Sequence, residues 1–134
     1  MSDTNRNGRR AKTLRRSCAR FQRFNFGSIR IDGTTYENDV IIDGTAIRKR
    51  KKKASKPLRE QYGHTPLSLQ EQIPWDCRRL VVGTGALGAL PITDDVAQEA
   101  DRRGVELIAV PTTQAIELLR KDRAATNAIL HVTC

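Results

Sequence analysis

Apolar and polar residues follow two different rhythms along this chain. In the first, Phe26-Gly27-Ser28-Ile29-Arg30-Ile31 alternates as a half-buried strand does. Asp32-Gly33 follows, a dipeptide that tolerates the positive φ angles of a tight hairpin turn, and Thr34-Thr35-Tyr36 reads as the returning strand. Val40-Ile41-Ile42, Asp43-Gly44 and Thr45-Ala46-Ile47 repeat the pattern. The sequence therefore predicts a β-meander near the N-terminal end.

From Leu80 the rhythm changes. Leu80-Val81-Val82 is a continuous apolar run, as expected of a strand covered on both faces. Thr93 is a good N-cap, and Asp94 and Asp95 complement the dipole of the helix it opens. Val96, Ala97 and Ala100 form its apolar stripe, Arg102 and Arg103 fill its last turn, and Gly104 is placed to stop it. Val105 to Val110 is the next strand. Pro111 breaks it, Thr112 or Thr113 caps a second helix with Ala115, Ile116, Leu118 and Leu119 inward, and Ala128 to Val132 is the last strand. Short strands alternating with helices of this length predict an α/β fold with a largely parallel sheet and right-handed crossovers.

Between the two halves, residues 48–66 read as an irregular basic connector, since Pro57 and Pro66 oppose regular structure. Ser68-Leu69-Gln70-Glu71 has the spelling of a capping box, closed off by Pro74. Residues 1–22 read as a disordered basic arm, which leaves 23–134 as a single α/β domain. A chain of 134 residues is the size of one ordinary domain.

Charge sharpens this division. The chain carries +9, but residues 1–30 hold nine cations and one acid, whereas residues 61–134 hold seven cations and nine acids. The densest cluster is Arg48-Lys49-Arg50-Lys51-Lys52-Lys53, with Lys56 and Arg59 beyond it, and the run is the candidate contact for a polyanion. Aromatics make up only 4% of the sequence, so stacking on bases has little support, and nucleic acid ranks as a weaker partner than protein. Three separated cysteines, Cys18, Cys77 and Cys134, do not form a disulfide framework and point to a reducing compartment. The stretch Leu80 to Ile92 is 13 residues without a charge, too short to span a bilayer. A cytoplasmic location is expected. The oligomeric state is left open.

The candidate chemistry is concentrated in Gly83-Thr84-Gly85-Ala86-Leu87-Gly88, whose spelling matches the glycine fingerprint of dinucleotide folds. The fingerprint needs a helix starting directly after the turn and an acid at the end of the next strand. Here the helix starts only at Thr93, and Val110-Pro111-Thr112 stands where the acid should be. No cofactor is expected. The remaining readings are a tight packing turn or a small anion cup, with Gly83, Thr84, Gly85, Gly88 and His64 as the ligand-binding candidates. His64 and His131 lack the further ligands a metal site requires. His131 is expected in a hydrogen-bonded structural role. Strand geometry separates it from Cys134, so no catalytic pair, triad or carboxylate dyad is read from the sequence.

Five ordered segments carry a family resemblance: Phe26 to Gly33, Tyr62-Gly63-His64, Leu80 to Gly85, Arg103 to Leu107 and His131 to Cys134. Together they resemble the small α/β family that includes an adipogenesis-associated domain protein and a mitochondrial NADH dehydrogenase (complex I) assembly factor. The resemblance implies a three-layer sandwich around a central mixed sheet with an added β-hairpin. It implies neither an established activity nor agreed catalytic residues. A non-enzymatic binding or assembly domain with a protein partner is the leading expectation. A small-ligand or anion-binding protein using the Gly83–Gly88 loop is the alternative.

Overall fold

The computed structural model describes residues 19–134. The arm expected over 1–22 lies outside the described residues up to residue 18, and strand β1 (Phe21–Asn25) already occupies its end. Phe21 explains the earlier start, because it is buried in the core. β1 pairs antiparallel with β2 (Ser28–Ile31), which pairs antiparallel with β3 (Thr34–Tyr36). The Asp32-Gly33 turn between the last two has φ of 52° and 81°, the doubly positive geometry that its residues tolerate.

The expected meander is divided between two sheets. After β3 the chain enters a second sheet through β4 (Val40–Asp43) and β5 (Ala46–Lys49), joined by the Gly44-Thr45 turn. The rest of that sheet is β6 (Arg79–Gly83), β7 (Glu106–Val110) and β8 (Thr126–Leu130), in the spatial order β5-β4-β8-β6-β7. β6 runs parallel to both β7 and β8, while β4 runs antiparallel to β5 and β8. The mixed sheet thus combines the N-terminal hairpin with the C-terminal α/β half.

Alternation along the central strands builds two cores. Val81, Ala128, Leu130, Val40 and Ile42 face one side with Phe21, Ile29, Ile31, Ile116 and Leu119. Leu80, Val82, Ile129 and Ile41 face the other with Leu67, Leu90, Val96 and Ala100. The run Leu80-Val81-Val82 is apolar throughout because its neighbours on the chain serve opposite cores. The small sheet and one helix cover the first face, and the other helix and the 67–92 segment cover the second. This is the expected α/β sandwich.

The connector is more regular than expected. A 3₁₀ turn over Lys53–Leu58 contains Pro57 and leads into the short helix α1 (Arg59–Tyr62), which ends on Gly63 at φ 77°. The Ser68–Glu71 spelling opens no helix. Ser68 instead accepts from the Gln70 amide, and Glu71 reaches into a buried ion network. Helix α2 (Asp94–Arg103) starts after Thr93 and stops at Gly104 with φ 69°, as predicted, but the Thr93 hydroxyl donates to the Asp95 carboxylate instead of capping a backbone amide. Helix α3 (Thr112–Lys121) takes Pro111 as its N-cap, so Thr112 falls inside it.

Candidate functional site

The carboxyl ends of parallel strands are where open α/β sheets usually place their ligands. Here the chain's own residues 131–134 leave β8 and run between the glycine loop and the turn at Phe26-Gly27. The Gly27 amide donates to the Val132 carbonyl at 2.7 Å. On the other side, Ala86 donates to the Thr133 carbonyl at 2.7 Å, and Ala89 and Leu87 donate to Cys134 O at 2.8 and 3.3 Å.

The remaining amides of the loop are also engaged. Thr84 donates to Val110 O, Gly85 to Thr112 Oγ1, Gly88 to Gly85 O and Leu90 to Thr84 O. Thr112 Oγ1 in turn donates to the His131 carbonyl at 2.7 Å. Close approach accounts for the glycines. A Cβ at Gly85, where φ is 106°, would lie 2.4 Å from the Cys134 carbonyl carbon and 2.8 Å from the His131 ring. A Cβ at Gly83 would lie 2.8 Å from Thr112 Oγ1. The loop therefore clamps a peptide segment of its own chain, with its amides directed into that clamp.

A buried ion network lies beneath the segment. Arg50 is 3% exposed. It donates from Nε and Nη2 to Glu71, from Nη1 to Asp39 Oδ2 at 2.8 Å, and from Nη2 to the Pro66 carbonyl. Ser55 bridges Glu71 and Ser68. Burial opposes the charge of Arg50, but Glu71 and Asp39 outweigh it and raise its pKa above the ordinary value. Burial likewise pushes the Asp39 carboxyl up. The His131 hydrogen bond and charge, the Val132 amide and Arg50 together overcome that push and hold it at about 2. An ionised Asp39 only accepts, so Nδ1 of His131, 2.8 Å away, carries a proton. Nε2 then faces Thr133 Oγ1 at 3.2 Å. This is the hydrogen-bonded role expected of His131.

Arg50 is a correction to the polyanion candidate set, since a guanidinium whose donors are committed in the core does not meet an external anion. The other members of the run diverge. Arg48 lies 4.0 Å from Asp43 and donates to the Gln72 carbonyl. Lys49, Lys51 and Lys53 are exposed. Lys52 instead lines a cavity of about 300 Å³ together with Lys56, Arg59, His64, Thr65, Leu90, His131, Thr133 and Cys134. His64 Nδ1 lies 3.7 Å from Cys134 Sγ. His64 is thus the one member of the ligand-binding set placed in this cavity, and the glycines stand behind its C-terminal wall. Cys134 meets His64 rather than His131. Sequence reasoning groups Lys56 and Arg59 with the charge run but misses Thr133. Pro57 hides that Lys56 and Arg59 lie one 3₁₀ turn apart.

A hollow of about 840 Å³ opens at the opposite end of the sheet beside Arg20, Asp76, Asp122 and Asn127, where charges of both signs mix. No group of acid, histidine and cysteine side chains suited to a metal occurs among the described residues. No helix among them is long and apolar enough to cross a membrane.

No protein-family model matches the sequence, and no curated protein matches it significantly. Solved structures do match. The conserved hypothetical protein PH1505 from Pyrococcus horikoshii OT3 is 27% identical over 86% of this chain and 99% of its own, with a TM-score of 0.73. MT938 is 23% identical over 87% of this chain and 99% of its own, with a TM-score of 0.63. A Bordetella pertussis protein, described as a Mth938-like domain, is 14% identical over 87% of both chains, with a TM-score of 0.58. The chain shares the fold of these proteins.

Proposed function

We propose that the protein is a non-enzymatic binding domain of assembly type, which offers the carboxyl-end face of its sheet to a protein partner. One observation carries the reading. Phe26 and Leu87, 65% and 80% exposed, are the large apolar side chains left in solvent among the described residues. Both stand on loops bonded to the same short segment, through Gly27 to Val132 and through Leu87 to Cys134. Neither loop is a loose connection. Apolar residues held out from a rigid frame are typical anchors for a partner surface, because burying them there releases the water they otherwise order. The fold shared with a Mth938-like domain, and the sequence's resemblance to a family with an assembly factor, agree with this reading. The partner it fits has an apolar patch to cover Phe26 and Leu87.

The test is to isolate the partner with the full chain, then titrate the purified pair against a Phe26→Ser/Leu87→Ser double variant. We expect at least an order-of-magnitude loss of affinity, the size of a modest hot spot. Equal binding by the double variant removes this face as the docking site.

A further inference from the structure

Several arginines of the described structure have acidic neighbours. Arg102 and Arg103 meet Glu99, Arg120 meets Glu117, Arg48 meets Asp43, and Arg50 is enclosed by Asp39 and Glu71. Lys52, Lys56 and Arg59 have none among the described residues, like the exposed Lys49, Lys51 and Lys53, and are set apart by the space they share. They line one cavity, no carboxylate side chain lines it with them, and none of the three forms an ion pair among the described residues. Lys56 and Arg59, three residues apart where the 3₁₀ turn passes into α1, fall on one side of the chain, and Lys52 joins them from just before the turn. Their opposing wall is rigid. Thr133 and Cys134 are held by the glycine loop, and His131 is held by Asp39. Like charges gathered in a concave space reinforce one another's field and attract a counter-ion of matching charge.

We propose that this cavity binds a small phosphate ester, whose dianionic head is neutralised by Lys52, Lys56 and Arg59 and hydrogen-bonded by His64. Three cations with no carboxylate side chain beside them suit a dianion better than a monocarboxylate. A volume of about 300 Å³ is at the small end for ligand sites and admits a compact molecule rather than a polymer. A nucleic-acid strand would also want aromatic platforms, and no aromatic side chain lines the cavity apart from the two imidazoles. The glycine loop takes no direct part, because its amides are committed. It holds the wall. This inference is independent of the protein-docking proposal, which rests on Phe26 and Leu87.

The experiment is calorimetric titration of the full chain with glycerol phosphate, inorganic phosphate, acetate and a duplex oligonucleotide at physiological ionic strength. Two variants accompany it: Lys52→Gln/Arg59→Gln inside the cavity, and Lys49→Gln/Lys51→Gln/Lys53→Gln outside it. All five positions are exposed, so both variants keep the core intact. The expected result is one saturable site for glycerol phosphate and for inorganic phosphate, and weaker binding of acetate. Affinity should fall about tenfold or more in the cavity variant, with little change in the outer one. The proposal is overturned by an equal loss in both variants, which means diffuse charge attraction. It is overturned as well by tighter binding of the oligonucleotide than of the monoester, or by no saturable binding up to about 10 mM.

Discussion

Gly85 shows how a motif can be spelled for one purpose and used for another. Its neighbour across the turn is the carbonyl of Cys134 rather than a pyrophosphate, and its φ lies in the region that side chains avoid. Gly85→Ala must both strain the backbone and push the C-terminal segment away. We expect a loss of roughly 2–4 kcal/mol, read as a lowered denaturation midpoint. Arg50 is the second decisive residue. Arg50→Met would leave Asp39 and Glu71 buried without their cation and should cost about 3–5 kcal/mol, far more than Lys51→Met on the surface. Asp39 also sets an acid limit. Its folded pKa of about 2 lies below the ordinary carboxyl value, so its contribution is complete above about pH 4 and is lost as pH falls towards 2. The shift corresponds to about 2 kcal/mol, and Asp39→Asn should flatten the stability profile in that window.

Among the elements, local rules predicted boundaries well wherever the signal was local. Gly104 stops α2, and Asp32-Gly33 turns β2 into β3, because positive φ depends on the residues at the spot. Local rules failed where a distant partner decides. The Ser68–Glu71 capping spelling is overridden by Arg50, and Thr112 serves as a bridge rather than a cap. Its hydroxyl joins the glycine loop to residue 131 by accepting from Gly85 N and donating to His131 O. Thr112→Val keeps the shape but leaves that amide unsatisfied. We expect a cost of about 1–3 kcal/mol, together with faster hydrogen exchange at Gly85 than at the amides of β6.

At the scale of the molecule, the small sheet is part of the main fold rather than an appendage. Phe21, Ile29 and Ile31 share one core with Val81, Leu119 and Leu130. Trp75 packs against the other core, across the central sheet. Ile31→Ala should therefore lower stability by about 2–5 kcal/mol, with fluorescence of Trp75 and far-ultraviolet circular dichroism reporting the same shifted midpoint. Separate midpoints for the two probes would mean that the sheet unfolds alone.

Sequence by itself determined the class of this protein: an α/β domain with a β-rich start, two helices and a central strand buried on both faces. Those features follow from period, turn chemistry and helix ends, all of which act within a few residues. Tertiary structure decided the division of the meander between two sheets, the burial of Arg50 and the gathering of Lys52, Lys56, Arg59 and His64 around residues 131–134. It also decided that the glycine loop grips its own chain. Each of these depends on groups brought together from distant positions, and the contact energies that select them are not encoded in any single stretch.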